Sequence, residues 1–149
     1  MAMPTLDAYI EEGTKDTTLA TLDSFTNFQH ENIETSCLHG KWLAYYVKEN
    51  LIFKKLRNDM AALRSDKRDY YLGRASAEVY KANPFGHKVT RSEVDDYVNA
   101  DSQIRELQSR IDYLQEKINY ISGIIENVKN RSWLLKTQLD YMKFTTGNG

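Results

Sequence analysis

The sequence has little of what disulfide-bonded, membrane-spanning or turn-rich proteins need. Its 149 residues include one cysteine, two prolines and seven glycines. A lone cysteine cannot form an internal disulfide, and no secretory signal opens the chain, so we expect a cytoplasmic protein. No run of about eighteen apolar residues is present, so we expect no membrane span. Few glycines and prolines favour helices over turn-rich β architecture, and we predict an all-α fold.

The motifs of most enzyme classes are also missing. No paired cysteines, Gly-rich phosphate loop or nucleophile elbow occurs. The three histidines are scattered along the chain, at His30, His39 and His87. The nearest approach to a catalytic cluster is Asp69 beside Tyr70, Tyr71 and Arg74, which we interpret instead as a helix C-terminus with local ion pairs. We therefore expect no catalytic residues, no metal and no cofactor.

The net charge of −1 conceals a strongly uneven distribution. Residues 1–40 hold one basic and seven acidic side chains, residues 41–91 hold twelve and five, and residues 92–149 hold seven and nine. We accordingly divide the chain into an acidic helical arm, a basic aromatic-rich helical region and a C-terminal helical region. The acids of the arm either border an ordinary core or occupy the basic surface when no ligand is bound.

Apolar and aromatic residues in the basic region recur at intervals of three and four, which predicts a helix from about residue 38 to 72 that ends at Gly73. Lysines and arginines border its apolar face. Lys67 falls within that face, and because burying an unpaired cation is costly, we expect this end of the helix to meet solvent or a ligand.

Interleaved cations and aromatic rings are typical of surfaces that bind single-stranded nucleic acid, since phosphates need positive charge and unstacked bases need flat partners. The alternative is an ordinary amphipathic helix whose rings are all core. The side chains at the helix end and in the following loop are the best candidates for contact: Tyr70, Tyr71, Tyr80 and Phe85 for bases, and Lys67, Arg68, Arg74, Lys81 and Lys88 for phosphates.

The last third of the sequence predicts a long helix with a heptad pattern. A Thr90–Glu93 capping box marks its start. From residue 104 to 142, about 58 Å of helix, the steps alternate between three and four. Another helix or another chain must cover so long a seam, and we expect self-association through it. The seam residues are Ile104, Leu107, Ile111, Leu114, Ile118, Ile121, Ile125, Val128, Leu135 and Leu139, with Ser132 as the one polar position.

Several short motifs resemble those of UvsY-type recombination mediators of tailed bacteriophages. They are Lys41-Trp-Leu43, Asp69-Tyr-Tyr-Leu-Gly-Arg74, Ile121-Ser-Gly123 and Val128-Lys-Asn-Arg131, in that order. The resemblance implies a non-catalytic protein of the infected host's cytoplasm that binds single-stranded DNA, a RecA-like recombinase and a single-strand binding protein. It also implies a hexameric or heptameric ring that is joined through C-terminal helices and binds DNA with its N-terminal part.

The family pattern Lys-x-Arg-x-Asp-Tyr-Tyr carries DNA-binding side chains. The corresponding stretch here is Ser65-Asp-Lys67-Arg68-Asp-Tyr-Tyr71, with serine at the first basic position. The resemblance therefore directs attention to Arg64, Lys67 and Arg68, with Arg74 in the family's Gly-Arg. Two other functions fit the residues alone: a coiled-coil scaffold without a nucleic-acid role, and a basic helix on a membrane surface, which the acidic neighbours disfavour.

Overall fold

The structure is a computed structural model that describes residues 3–19 and 25–147. Within those ranges it consists of helices and contains no strand, which confirms the all-α prediction. The five helices are α1 (Leu6–Thr17), α2 (Phe25–Tyr71), α3 (Ala77–Ala82), α4 (Val94–Ala100) and α5 (Ser102–Thr145). None of these helices is both long and apolar enough to cross a membrane. Part of the acidic arm, residues 1–2 and 20–24, lies outside the described residues, as do residues 148–149.

The first of two compact units comprises residues 1–50 and 116–149, so it combines α1 with the first half of α2 and the second half of α5. Its core is aromatic on the N-terminal side, where Tyr9 and Trp42 are fully buried with ring centroids 6.0 Å apart. Ile121 and Val128 of α5 complete it. Gly13 lies inside α1 rather than ending it, and its bare Cα lets α1 approach Tyr120 closely.

Charged groups are buried in this unit, each with an opposite partner. Glu49 accepts hydrogen bonds from Tyr9 Oη at 3.0 Å and pairs with Lys117 Nζ at 2.6 Å. Burial and the Glu49 carboxylate raise the pKa of Tyr9, so its phenol stays protonated as the donor. Arg131 pairs with Glu31 in the same way. The heptad pattern places Ser132 in the seam, but the structure exposes Ser132 and buries Arg131.

The acids of α1 are engaged within the same unit. Lys41 Nζ contacts Glu12 at 2.9 Å and also pairs with Asp16. The indole of Trp42 donates to Asp16 at 2.9 Å. This end of the acidic arm is therefore held by the first two residues of the basic region, and its acidity has a packing role in joining α1 to α2.

The second unit comprises residues 51–115. Its core consists of Met60 from α2, Val94 and Val98 from α4, and Ile104 and Ile111 from α5. Val94 and Val98 are one helical turn apart, which places both on the face of α4 that packs into this core. The short helix α4 is thus fixed by apolar burial, and its remaining side chains lie around the rim.

Two helix ends shape the second unit. α2 begins at Phe25, well before the predicted start near residue 38, and its last helical residue is Tyr71, next to the predicted stop. At that stop the φ of +75° at Gly73 lets the Arg74 N–H reach back to the Asp69 carbonyl at 2.8 Å. The C-terminal helix does not run unbroken from the capping box. Asp101 is extended at ψ 132°, and its carboxylate caps α5 by accepting from the Gln103 N–H at 2.9 Å. The predicted box survives as a turn, in which the Glu93 carboxylate accepts from Thr90 N–H and hydroxyl.

The heptad seam is covered by the chain itself. Ile121 and Val128 pack with Tyr9 and Trp42, and Ile104 and Ile111 pack with Met60. Seven of the ten seam residues are buried, namely Ile104, Ile111, Leu114, Ile118, Ile121, Val128 and Leu135, and Leu107, Ile125 and Leu139 are half-buried. The seam therefore needs no second chain to cover it. The assignment of these ten residues to an interface between chains stays a prediction.

Candidate nucleic-acid interface

The last turns of α2 carry three cations, and each of them contacts an acceptor in the segment 95–101. The Arg64 guanidinium donates through both terminal nitrogens to the Asn99 side-chain oxygen, Nη1 at 3.2 Å. Arg68 Nη1 lies 3.0 Å from Asp95 Oδ1. Lys67 Nζ lies 2.9 Å from Asp101 Oδ2. Three of the six cations predicted from the sequence for DNA contact thus lie together, and the chain supplies their present partners.

Lys67 is the most enclosed of the three. Its side chain is 19% exposed and that of Asp101 is 7% exposed. Tyr71 Oη donates to the same carboxylate oxygen at 2.8 Å. Burial alone would raise the pKa of Asp101, but the hydrogen bonds from Lys67, Tyr71 and the Gln103 amide outweigh it and hold that pKa below its usual value. Burial, together with the bond to Asp101, raises the pKa of Tyr71 to about 12.

The lysine in the apolar face of α2 therefore has an internal partner. The sequence reasoning expected Lys67 to meet solvent or a ligand, because it had no means of seeing Asp101 thirty-four positions away. The pair joins the end of α2 to the start of α5, which makes Lys67 first of all a structural cation.

The aromatic candidates form one cluster. Tyr70 stacks on Tyr80 with centroids 5.4 Å apart and planes 18° from parallel, and Phe85 lies 5.6 Å from Tyr70 and 5.1 Å from Tyr71. Two phenols also tie down the loop after α2: Tyr70 Oη donates to the Asn83 carbonyl at 3.0 Å, and Tyr80 Oη donates to the Tyr70 carbonyl at 2.7 Å. The cluster therefore shapes the segment that follows Gly73.

That segment carries the remaining predicted cations. Arg74, Lys81 and Lys88 are all exposed. A cavity of about 670 Å³ opens beside the end of α2 and is lined by Tyr70, Arg74 and a number of polar groups. Three of its lining residues, Asp66, Asp69 and Asp101, are acidic, and two, Lys67 and Arg74, are basic. Because negative charges slightly outnumber positive ones in this lining, phosphates are attracted more to the exposed cations around the cavity than to the cavity itself.

Sequence reasoning missed the acceptor residues Asp95, Asn99 and Asp101 and one exposed ring of the cluster, Tyr97. Tyr97 lies 5.6 Å from Tyr71 and is 39% exposed. Asp101 could have been found, because aspartate followed by a periodic helix is a typical N-cap signal. Asp95 and Asn99 carry no such signal, since their importance depends on which face of α4 packs.

One group of side chains in the described residues has metal-ligand geometry. Ligand atoms of His30, Glu31 and Glu34 lie within 4.8 Å of one another. The Arg131 guanidinium contacts both carboxylates, Glu34 at 3.9 Å. A cation is already in place there, so the group is better explained as an ion-pair network than as a metal site.

The sequence also matches a known protein family and a known protein. The profile of the family described as "Recombination, repair and ssDNA binding protein UvsY" matches residues 7–148. The recombination protein uvsY of Enterobacteria phage T4 is 22% identical over 124 residues, which are 82% of this chain and 86% of that protein.

Solved structures show the same fold. One crystal form of the bacteriophage T4 recombination mediator protein UvsY superimposes with a TM-score of 0.81 at 21% identity, covering 96% of this chain and 98% of that one. A second crystal form gives 0.80 at 20% identity, with 95% and 99% covered. Because the family profile spans nearly the whole sequence, the chain belongs to the UvsY family of recombination, repair and single-stranded-DNA-binding proteins.

Proposed function

We propose that this protein is a recombination mediator that binds single-stranded DNA and helps a RecA-like phage recombinase load onto DNA covered by single-strand binding protein. It acts in the cytoplasm of the infected host, without catalysis and without a cofactor. The observation that carries the proposal is the convergence of the predicted cations and rings on one end of α2 in a chain that matches the family from residue 7 to 148.

The strand's phosphates contact the exposed cations of the second unit. Arg68 is half exposed, and Arg74, Lys81 and Lys88 lie on the segment that the aromatic cluster holds in place. Arginine suits this role because its guanidinium binds a phosphate through two parallel hydrogen bonds. Lys67 contributes mainly by positioning the helix end.

Bases stack on the exposed border of the aromatic cluster rather than between its rings. Tyr70 already has a ring partner, and the phenols of Tyr70, Tyr71 and Tyr80 hold other groups of the unit. Tyr97 offers the most accessible ring face. Stacking of this kind accepts any base, which suits a protein that must act on DNA of any sequence.

Self-association also has outward faces of the long helices available, beside the heptad seam that the chain's own helices cover. On α5, Trp133, Tyr141 and Phe144 are 66%, 66% and 85% exposed, and their spacing puts them on the side opposite Val128 and Leu135. Large exposed rings in a row are rare on a protein that stays monomeric.

A second outward face lies on the first-unit part of α2. Ile33 and Val47 are 62% and 50% exposed, and small residues, Gly40 and Ala44, lie between them on the same side. Aromatic side chains of one copy can pack into the shallow stretch of the next. Two different faces that pair head to tail form a ring when the rotation between copies closes, and such pairing is compatible with the hexamer or heptamer expected for the family.

The test is fluorescence anisotropy of labelled single-stranded and duplex oligonucleotides over a salt series. Removing Arg68 and Arg74 together by substitution with alanine should weaken single-strand binding. Each lost phosphate contact should flatten the slope of log affinity against log salt by about 0.7. Arg105 and Arg110 are exposed in the same unit, so replacing them with alanine removes the same charge. That control variant should change the affinity and the salt slope less.

Absence of single-strand binding near physiological salt would contradict the proposal and leave a coiled-coil scaffold as the function. Binding with no preference over duplex would contradict the role of the aromatic cluster. A recombinase assay on DNA pre-covered with single-strand binding protein then tests mediation itself, because a protein that only binds DNA would not shorten the lag before strand exchange.

A further inference from the structure

The predicted phosphate ligands of α2 already bind an acceptor row on the short helix α4 and its cap. Arg68 contacts Asp95, Arg64 contacts Asn99, and the two pairs are one helical turn apart on both helices. The partners of Arg64 and Arg68 follow the opposite order along α4, so α4 runs antiparallel to the end of α2. Oxygen atoms of α4 thus stand where a ligand's oxygens would meet these arginines.

The position of α4 does not depend on these contacts. Val94 and Val98 are 0% and 3% exposed and anchor the helix in the core of the second unit. Asp95 and Asn99 each follow one of these valines in sequence. Burial of the two valines therefore presents the two acceptors to α2 whether or not the arginines are available.

The acidic residues that begin with α4 also lower the net charge of the second unit. Residues 51–115 contain twelve basic and ten acidic side chains, a net charge of +2. The six acids that follow residue 92 offset most of the positive charge that the preceding stretch carries. The single chain therefore presents a much weaker field to DNA than its basic region alone would.

The contacts differ in how easily they open. Arg68 and Asp95 are 51% and 66% exposed, and an ion pair so open to water is weak. Lys67 and Asp101 are enclosed, and Asp101 also binds Tyr71 and caps α5. A phosphate can therefore replace Asp95 at Arg68 at little cost, whereas replacing Asp101 would undo a helix start.

We propose that α4 is a built-in competitor for the DNA strand, in which Asp95 and Asn99 hold Arg68 and Arg64 until phosphates displace them, while Lys67 stays with Asp101. The proposal rests on the proposed single-strand binding and adds its regulation. It means that the free protein hides part of its own site, so that isolated subunits bind DNA weakly and contact with several phosphates is needed to open the arginines.

The test compares two neighbouring charge removals on α4 by anisotropy with a labelled single-stranded oligonucleotide. Asp95→Asn removes the negative charge that holds Arg68 and leaves only a neutral acceptor, so it should tighten binding by about two- to fivefold, the range set by a surface ion pair. Asp96→Asn is the control: it removes the same charge at the next residue, whose side chain is also exposed. It should tighten binding clearly less, and equal effects would overturn the competitor in favour of a general charge effect.

A double-mutant cycle shows whether the gain from Asp95→Asn comes from releasing Arg68 or from a general loss of negative charge. In an Arg68→Ala background, Asp95→Asn has no arginine to release, so its gain should disappear. A gain that persists there would overturn the proposal. Thermal unfolding of each variant shows whether the second unit stays folded. If the wild type does not bind the strand at all, the proposed function fails; if it binds and Asp95→Asn gives no gain, only the competitor fails.

Discussion

The Lys67–Asp101 pair offers a stringent test of how the second unit is held together. The substitution Asp101→Asn keeps the size of the side chain and its ability to cap α5, since asparagine is as good an N-cap as aspartate. Because the cap uses one carboxylate oxygen and Tyr71 and Lys67 contact the other, that second position becomes an amide NH₂ donor. The substitution therefore removes the acceptor of the Tyr71 phenol and the negative charge beside the largely enclosed Lys67.

The expected cost follows from that geometry. Removing one partner of a fully buried ion pair costs about 3–5 kcal/mol, because the other charge is left without compensation. Lys67 is 19% exposed, so water screens part of its charge and the cost should fall to about 1–3 kcal/mol. For a chain of this size that corresponds to a melting temperature lower by roughly 3–10 °C.

The pH dependence provides a second, independent signature. The pKa of Asp101 is lowered by folding, so the stability it contributes is present above its unfolded pKa of about 3.9 and is lost as the pH falls through the folded value. The gap in unfolding free energy between wild type and Asp101→Asn should therefore be constant near neutrality and shrink below about pH 4.

Urea unfolding at several pH values measures both signatures, with Asp59→Asn as the control because Asp59 is exposed on α2 in the same unit. Adding Lys67→Met to Asp101→Asn should recover part of the lost stability, since no charge then remains unpaired. Equal stability of the two single aspartate variants, or a gap that persists unchanged at pH 3, would refute the structural role of the pair.

Two further outcomes are expected. In thermal unfolding, Gly13→Ala should destabilise the first unit by about 1–3 kcal/mol, because a Cβ there would lie 2.5 Å from Tyr120 Oη. The control Gly40→Ala, whose Cβ would have nothing within 4 Å, should be neutral or stabilise the unit by up to about 1 kcal/mol. Replacing Trp133 and Phe144 by serine should reduce the mass measured by light scattering while leaving helix content unchanged, and an unaltered mass would exclude this face as the interface.

The long helices and one helix end could be read from the sequence because local rules determine them. Steps of three and four along α2 and α5 identified the buried faces, and Gly73 ended α2 where a left-handed residue was needed. Periodicity identifies which face is buried but not what covers it. The chain's own helices cover the seam of α5, so the step from a heptad pattern to an interface between chains does not follow from the pattern.

The rest of the site depends on contacts between residues far apart in sequence. A charge in an apolar face signals either a ligand or an internal partner, and only the fold shows that Lys67 meets Asp101. Arg131 and Lys117 follow the same logic, since each is buried only because Glu31 or Glu49 lies opposite. The break between α4 and α5 was missed because a continuous apolar pattern outweighed the capping signal of Asp101.

The proposed weak DNA site of each subunit and the outward apolar faces of the long helices would complement each other. In a ring, the second and later subunits meet a strand that is already held nearby, so their contacts are effectively intramolecular. If α4 reduces the affinity of each subunit by about fivefold, six subunits acting together would multiply that to about 10⁴-fold. A competitor with only a severalfold effect in a monomer would thus make the assembled protein release short stretches of DNA readily while it holds long ones, which would suit the proposed transfer of the strand to a recombinase.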